Sequence, residues 1–329
     1  MKISVIGGGS WGTAFSLYLT RLGYRINLWV REEDIVEYIK KYRENNIFLP
    51  GFILPDSLKP TGDFKEVFSD AEVIFFAVPS KFCRDLFQQT SPFIKKDVPL
   101  ISLTKGFDVI SLKRISELME EIFIPSPPIA VLSGPSFSRE VAKGYPTAVV
   151  VASKNKKLMK FIQSQISSSQ FRIYTNSDVK GVELAGGLKN VIAIAAGIVS
   201  GLSMGYNALA SLMTRGIAEI SRLGIKMGAK RKTFYGLAGI GDLILTCTGE
   251  LSRNRKIGIE LARGKKLDEI ILDSGQVAEG VTSTYVAKKL SEINKIEMPI
   301  TEKIYETLYE GKDIKVAISE LMTRKLKEE

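Results

Sequence analysis

Histidine is absent from all 329 residues. That excludes a histidine-based triad, a histidine metal site and imidazole acid–base chemistry, so any proton transfer falls to Lys, Asp, Glu, Tyr or Cys. Cysteine is nearly as scarce. Cys83 and Cys247 lie far apart and neither has a metal-ligand spacing. No disulfide framework and no metal site are expected, and the pattern fits a reducing compartment. A secretory signal is not expected either: the opening MKISVIGGGSWG has one positive charge, and glycines break its short apolar run before any small-residue cleavage site. Long apolar runs are also lacking. The best candidate, in ELAGGLKNVIAIAAGIVSGL, is interrupted by glycines and serines. It falls short of the ~20 apolar residues of a membrane span, so it reads as a buried core helix and no integral membrane segment is expected. There is no long basic arm and no nucleic-acid motif, so despite a net charge of +10 no nucleic-acid partner is expected. The positive charge still favours anionic partners, phosphorylated small molecules among them.

What is present is an alternation. Ile3–Ile6 is a short β-branched run, followed by a glycine turn and a helical stretch over Trp11–Leu22. Arg25–Val30, Val73–Val78, Leu100–Leu103, Ile129–Leu132, Thr147–Val151 and Phe171–Tyr174 read as further strands. Helices lie between several of them, such as Leu112–Glu121 and Lys156–Ile166. This pattern predicts a mainly parallel sheet with helices on its faces. Asn45–Pro60, rich in Asn, Pro and Gly, reads as a loop. After about Asp178 strand-like runs stop, and helical patterns continue to the charged tail Arg324–Glu329.

Gly7-Gly8-Gly9-Ser10-Trp11-Gly12 fits G-x-G-x-x-G directly after a strand and at the opening of a helix. Gly7 permits the tight turn, Gly9 lets the backbone approach a pyrophosphate, and Gly12 allows close packing of helix on strand. The helix N-terminus then presents free N–H groups to the anion. The expected architecture is an α/β Rossmann-type dinucleotide-binding domain with a mainly parallel sheet over residues 1–180, then an all-α substrate-binding domain over residues 181–329. The second strand ends LWVREED. Arg31 there can hold the 2′-phosphate of NADP, and Glu32 the ribose hydroxyls of NAD. The reading leans to NADPH and leaves NAD open.

Four further stretches carry chemistry. LTKGFD places Lys105, and LSGPSF places Gly134, Pro135 and Ser136, just after strands, at the edge where open α/β sheets bind ligands. GLKN carries Lys189 and Asn190, and LAGIGDLILTCTGELSRNR carries Asp242, Thr246, Ser252, Arg253 and Asn254. Singly, each has a plain structural reading: a solvated lysine or arginine, an ordinary turn, a helix cap at Asp242 or Ser252. Together they form a kit for a phosphate and a carbonyl. Arg253 offers a fork of donors with Ser252 and Asn254 beside it, and the lysines offer proton transfer or oxyanion stabilisation.

On these blocks the chain resembles the bacterial NAD(P)-dependent glycerol-3-phosphate dehydrogenases. GGGSWGTA, LPG, TKGF, SGPSFSREVAKGYPTA, ELAGGLKNVIAIAAGI, LAGIGDLILTCTGELSRNR and QVAEGV carry the resemblance along nearly the whole chain. It implies reversible reduction of dihydroxyacetone phosphate to sn-glycerol 3-phosphate by NADPH or NADH, in the cytoplasm, the product feeding phospholipid synthesis. It implies that Ser10, Trp11 and Arg31 contact the cofactor, with Ser138 doing so through its backbone, beside the loop glycines and Lys105. Lys105, Gly134 and Ser136 would line the substrate pocket, and Asn190, Asp242, Ser252, Arg253 and Asn254 would complete it, Arg253 also lying near the cofactor. Val277 and Glu279 would close over the cofactor. Lys189 would transfer the proton, with Lys105 and Asp242 in the same catalytic group. A homodimer is expected by analogy of architecture. Ser138 stands where the family usually has Ala. Gly187 stands where Ala is common, and is expected to loosen the start of the helix bearing Lys189.

In the reduction direction the Lys189 ammonium would stabilise charge building on the carbonyl oxygen and deliver the proton. In reverse the neutral amine would accept it, which asks for a pKa below the ~10.4 of free lysine. An apolar helix behind the amine and Lys105 nearby would lower it; Asp242 would oppose that shift and fix the amine's direction. Three rivals stay open. A β-hydroxyacid dehydrogenase would share the glycine loop and lysine, but SRNR argues for a phosphate. A cofactor-binding redox sensor has only the net charge in its favour. A peripheral role at a membrane surface is compatible with that charge, though no basic amphipathic helix requires it.

Overall fold

Apolar side chains alternate faces along the central strands, and that alternation builds two cores, one on each side of a sheet. The computed structural model describes residues 1–274, 279–326 and 328. The chain divides into two compact units, Met1–Asp108 with Lys113–Glu183, and Val109–Leu112 with Leu184–Glu329. The first unit begins with β1 (Lys2–Ile6), α1 (Ser10–Arg21), β2 (Arg25–Trp29) and α2 (Glu33–Tyr42). A hairpin of β3 (Glu44–Asn45) and β4 (Leu49–Ile53) follows, then β5 (Leu58–Thr61), α3 (Phe64–Phe68), β6 (Val73–Phe76) and α4 (Cys83–Thr90). The unit continues through β7 (Leu100–Ser102), α5 (Ile115–Ile122), β8 (Ile129–Ser133), α6 (Ser138–Lys143), β9 (Thr147–Ala152), α7 (Lys156–Ile166) and β10 (Phe171–Asn176).

Eight strands form one sheet in the order β10-β9-β8-β7-β6-β1-β2-β5, parallel except where β8 meets β9. Ile3, Val5, Leu28 and Phe75 face a core completed by Phe15 of α1, Ile39 of α2 and Ile162 of α7. Ile6, Trp29, Ile74 and Phe76 face the other way, onto Val67 of α3, Phe87 of α4 and Leu118 of α5. From β1 the chain winds outward through β2 and β5, then returns to β6 and winds the opposite way. The loops after β1 and β6 therefore flank the point where strand order reverses, which is where sheets of this kind hold ligands.

The mainly parallel sheet followed by helices agrees with the sequence reading. Asn45–Pro60 does not: it holds the last residue of β3, all of β4 and most of β5. Its composition suggested a loop because the strands are short and peripheral. β5 is an edge strand, where Pro60 is tolerated. Leu58 and Pro60 turn inward in it while Lys59 stays exposed.

No described residue after β10 lies in a strand. α8 (Val179–Gly201) leads into the second unit, followed by α9 (Gly205–Lys226), α10 (Arg231–Phe234), a π-helical turn at Leu237–Gly241, and α11 (Asp242–Thr248). Then come α12 (Arg253–Ala262), α13 (Leu267–Ser274), α14 (Glu279–Asn294), α15 (Pro299–Tyr309) and α16 (Ile314–Met322). α8 is longer than its interrupted run suggested. At 23 residues, with an 18-residue stretch of mean hydropathy 1.6, it is long and apolar enough to cross a membrane, but 94% of that 18-residue stretch is buried inside the protein, as in a core helix. Its glycines and serines do not break it. Asp178 caps its start, accepting from the Gly181 N–H at 3.0 Å, so Gly187 lies well inside the helix and not at a loosened beginning.

Candidate active site

The cofactor loop is built from backbone. Gly7 has φ +122°, and a Cβ there would sit 2.6 Å from the carbonyl oxygen of Ala77, just past β6. A Cβ on Gly12 would overlap the Gly7 carbonyl oxygen. These two glycines are required by the close approach of β1, α1 and the loop after β6. Gly9 differs: nothing lies within 4 Å of the place its Cβ would take. Gly9 is therefore dispensable for packing and leaves an open cradle at the start of α1, the shape and polarity a pyrophosphate needs. The residues present fit a dinucleotide.

The hairpin braces this loop. Asn45 is fully buried and donates to the Gly8 carbonyl at 2.8 Å and to Thr13 Oγ1 at 2.9 Å, while accepting from the Phe48 N–H at 3.1 Å. Ser10 Oγ donates to the Phe48 carbonyl at 2.6 Å, so its hydroxyl serves the same brace. Trp11, half-buried, packs its ring 5.6 Å from that of Phe15. Sequence reasoning gave Asn45 no role. A polar residue just after α2 carries no pattern that reveals a partner 37 positions away.

Arg31 follows β2 and donates to the Glu32 carboxylate through Nε at 2.9 Å and Nη2 at 2.5 Å, with its guanidinium 5.4 Å from the centre of the Phe82 ring. The pair is exposed, and such pairs contribute at most about 1 kcal/mol, so a phosphate can displace the carboxylate. Farther along the same sheet edge Lys105 donates to the Gly134 carbonyl at 2.7 Å and lies 3.4 Å from Ser136 Oγ. Ser136 donates to the same carbonyl at 2.9 Å. Gly134 holds φ +132°, and a Cβ on it would meet Val149 Cα at 3.0 Å. Ser138 is the first residue of α6, where backbone N–H groups lack helical partners. Lys105, Gly134 and Ser136, separate in sequence, thus form one cluster.

The second unit is built from side chains. Lys189, 5% exposed on α8, donates to Asp242 Oδ1 at 2.7 Å and to Thr246 Oγ1 at 2.5 Å. Asp242, 1% exposed, opens α11, and Thr246 lies one turn later, donating its own hydroxyl to the Asp242 carbonyl at 2.6 Å. A buried ammonium needs both countercharge and hydrogen-bond acceptors, and this arrangement supplies them while aiming the amine. The tight turn before α11 depends on Gly239, whose Cβ would overlap the Phe234 carbonyl. Asp242 is thus more than a cap. Thr246, named in the same sequence stretch but given no role of its own, lies at i,i+4 from Asp242, the spacing that puts both on one helix face.

Ser252 is buried, caps α12, and accepts from the Arg255 N–H at 3.2 Å. Arg253, the first residue of α12, keeps much of its side chain exposed. Crowding around its guanidinium still holds its pKa below the ordinary arginine value, with the charge of Glu279 opposing. Asn254 is buried and donates to Asn190 Oδ1 at 2.9 Å, while its own Oδ1 accepts from the Gly280 N–H at 2.9 Å. Glu279 opens α14, and Val277 lies outside the described residues. Cys247, next to Thr246, is no nucleophile: burial pushes its thiol up to about 12, against the pull of Lys189.

Known proteins share this arrangement of sequence. The profile of the NAD-dependent glycerol-3-phosphate dehydrogenase N-terminus matches residues 2–159, and that of the corresponding C-terminus matches residues 178–319. The chain is 46% identical over 330 residues to a glycerol-3-phosphate dehydrogenase (NAD(P)+) of Citrifermentans bemidjiense, covering 100% of this chain and 98% of the relative. A Thermoanaerobacter relative of the same name is 47% identical, covering 100% and 99%. Among solved structures, a glycerol-3-phosphate dehydrogenase from Coxiella burnetii superposes with a TM-score of 0.95 at 38% identity, covering 98% of this chain and 99% of that one.

Proposed function

The chain belongs to the NAD-dependent glycerol-3-phosphate dehydrogenase family, as an NAD(P)-dependent oxidoreductase, and from that premise we propose that it reduces dihydroxyacetone phosphate to sn-glycerol 3-phosphate, with NADPH preferred and Lys189 as proton donor. The observation that carries the catalytic part is the buried Lys189 amine held by Asp242 and Thr246. When bound, the cofactor supplies the hydride. Gly7, Gly9, Gly12 and the first turn of α1 would hold its pyrophosphate, and Arg31 its 2′-phosphate. Lys189 gives its proton to the carbonyl oxygen as charge builds there, and takes a proton from the alcohol in reverse. Asp242 keeps the amine aimed through both directions. Lys105 adds positive charge near the substrate, and Arg253 anchors the phosphate through its donor fork. Asn190 and Asn254 complete the pocket, and Glu279 borders the cofactor.

Arg31 supports the NADPH preference, and Glu32 keeps NADH usable. Turnover of each nucleotide with dihydroxyacetone phosphate tests this directly: oxidation of NADPH is expected to be faster, and a clear preference for NADH overturns the Arg31 assignment. The product suits phospholipid synthesis in the cytoplasm. The helical unit suits a homodimer, which light scattering on the purified protein tests, a monomer mass counting against it.

A further inference from the structure

The residues that follow Lys189 and Arg253 clasp each other. Asn190 comes directly after the amine on α8, Asn254 directly after the guanidinium on α12, and their amides are joined by a buried 2.9 Å hydrogen bond. Farther along, the same two helices touch backbone to backbone. A Cβ on Gly197 of α8 would overlap the Arg255 carbonyl oxygen and sit 2.8 Å from Gly258 Cα. A Cβ on Gly258 of α12 would overlap the Ile194 carbonyl oxygen and sit 2.7 Å from the Ile198 nitrogen. A third close approach follows, where a Cβ on Gly201 would meet the Ala262 Cβ at 2.6 Å. Ordinary helix pairs keep their axes ~8–10 Å apart because side chains intervene. Here none does, so the crossing has one separation and one register. Two independent contacts, an amide clasp at one end and a glycine contact at the other, fix α8 against α12.

We propose that Gly197 and Gly258 are positioning residues that set the span between the Lys189 amine and the Arg253 guanidinium, and so match the enzyme to a ketone carrying a phosphate at a fixed distance from its carbonyl. The inference rests on the substrate reading above. A rigid span matters because a misplacement of ~1 Å can cost about a hundredfold in rate. Helix α8 can present Lys189 without this crossing, and α12 can present Arg253. Only their joint use, by a substrate touching both, depends on the spacing.

The test compares dihydroxyacetone phosphate with dihydroxyacetone, which lacks the phosphate and gains nothing from Arg253. In the wild-type enzyme, kcat/KM is expected to favour the phosphorylated ketone strongly. Gly258→Ala is expected to lower kcat/KM for dihydroxyacetone phosphate at least ~10-fold more than for dihydroxyacetone, with NADPH affinity unchanged. Equal losses for both ketones mean a general loss of structure and overturn the proposal, while leaving the substrate reading intact. A wild-type enzyme indifferent to the phosphate removes the substrate reading, and the spacing role with it. Should Gly258→Ala fail to fold, Gly201→Ala reads the same effect at the far end of the crossing. It is expected to give a smaller loss selective for the phosphorylated ketone, eased in part by adding Ala262→Gly, which removes the nearest opposing methyl while the Ile259 carbonyl oxygen at 3.0 Å remains. A loss that is not selective, or not eased at all, overturns the proposal.

Discussion

The two halves of the candidate machinery are made of different material. In the first unit the cradle is backbone: two glycines that no other residue can replace, a third open to solvent, and an asparagine brace behind them. In the second unit the site is a buried ion pair and its acceptors, gathered from α8 and α11. A backbone cradle tolerates changes of charge nearby but not of volume. A buried ion pair tolerates small changes of volume but not of charge. The sharpest break of this contrast is Lys189→Ala, expected to lower kcat roughly a thousandfold, within the range for losing a positioned acid–base group. NADPH affinity, measured by fluorescence titration, is expected to stay near wild type because the cradle is untouched. Near-normal turnover would remove the lysine from the chemistry. A matching loss of NADPH affinity would mean that the two halves are not separable.

Charge sensitivity in the second unit reaches beyond the site. Glu219 on α9 is 1% exposed and accepts from the Ile300 and Thr301 N–H groups, at 2.7 Å and 3.2 Å, capping α15. Among the described residues no cation pairs with it directly, and Arg222 acts only as a nearby charge. Glu183, in the first unit, likewise caps another helix through the Ser116 N–H at 2.8 Å, but there Arg114 shares the carboxylate. Burial pushes the Glu219 carboxyl up from 4.5 to about 7. The folded protein therefore keeps a proton that the unfolded chain releases near pH 4.5, and stability falls as pH rises from there through about 7. A shift of that size corresponds to about 3 kcal/mol. Glu219→Gln is expected to flatten this dependence, read from urea midpoints at acidic and mildly alkaline pH. If the variant and the wild type show the same pH slope, the buried carboxyl is not its source.

Arg253→Ala probes the contrast more gently. It removes a side chain that is largely exposed along its length, unlike the buried ion pair of Lys189 and Asp242, so stability should hold. The KM for dihydroxyacetone phosphate is expected to rise about thirtyfold, as for loss of a charge-assisted hydrogen bond of about 2 kcal/mol. An unchanged KM would assign the phosphate to other residues.

The same contrast explains how much could be read in advance. The glycine loop is local: strand, turn and helix opening lie within a dozen residues, and the steric reasons for Gly7 and Gly12 are visible in their spacing. The sheet was legible for the same reason, since its strands are short apolar runs such as VIFF, buried throughout, and TAVVVA, buried over its last four residues. What was missed depends on distant partners. Asn45 looked like one more loop residue because its partners, Gly8 in the glycine turn and Thr13 on α1, lie more than thirty positions earlier in the chain. Asn190 and Asn254 were placed in the pocket by resemblance, and only the folded chain reveals that they bond to each other. Thr246 sat within a recognised stretch, yet its role required the amine of another helix. Interrupted composition also misled: the glycines of α8 looked like breaks in an apolar run, when two of them, Gly197 and Gly201, are points of close contact with α12 in a continuous helix.

The smallest predicted effect separates the two kinds of site most cleanly, because it alters volume where the folded chain has room to spare. A methyl on Gly9 meets nothing within 4 Å, so Gly9→Ala should fold with an almost unchanged melting temperature. Gly12 has no such room, since its Cβ would overlap the Gly7 carbonyl oxygen. If Gly9 serves the approach of a pyrophosphate, the added methyl stands where phosphate oxygens must come close to the α1 N-terminus. NADPH and NADH affinities should then fall together, by about tenfold or 1.4 kcal/mol, without altering the choice between them, which is proposed above to rest on Arg31 and Glu32. Calorimetric titration with both nucleotides reads this. Unchanged affinity would put the pyrophosphate elsewhere along the sheet edge. A lowered melting temperature with normal affinity would give Gly9 a packing duty that its open surroundings do not predict.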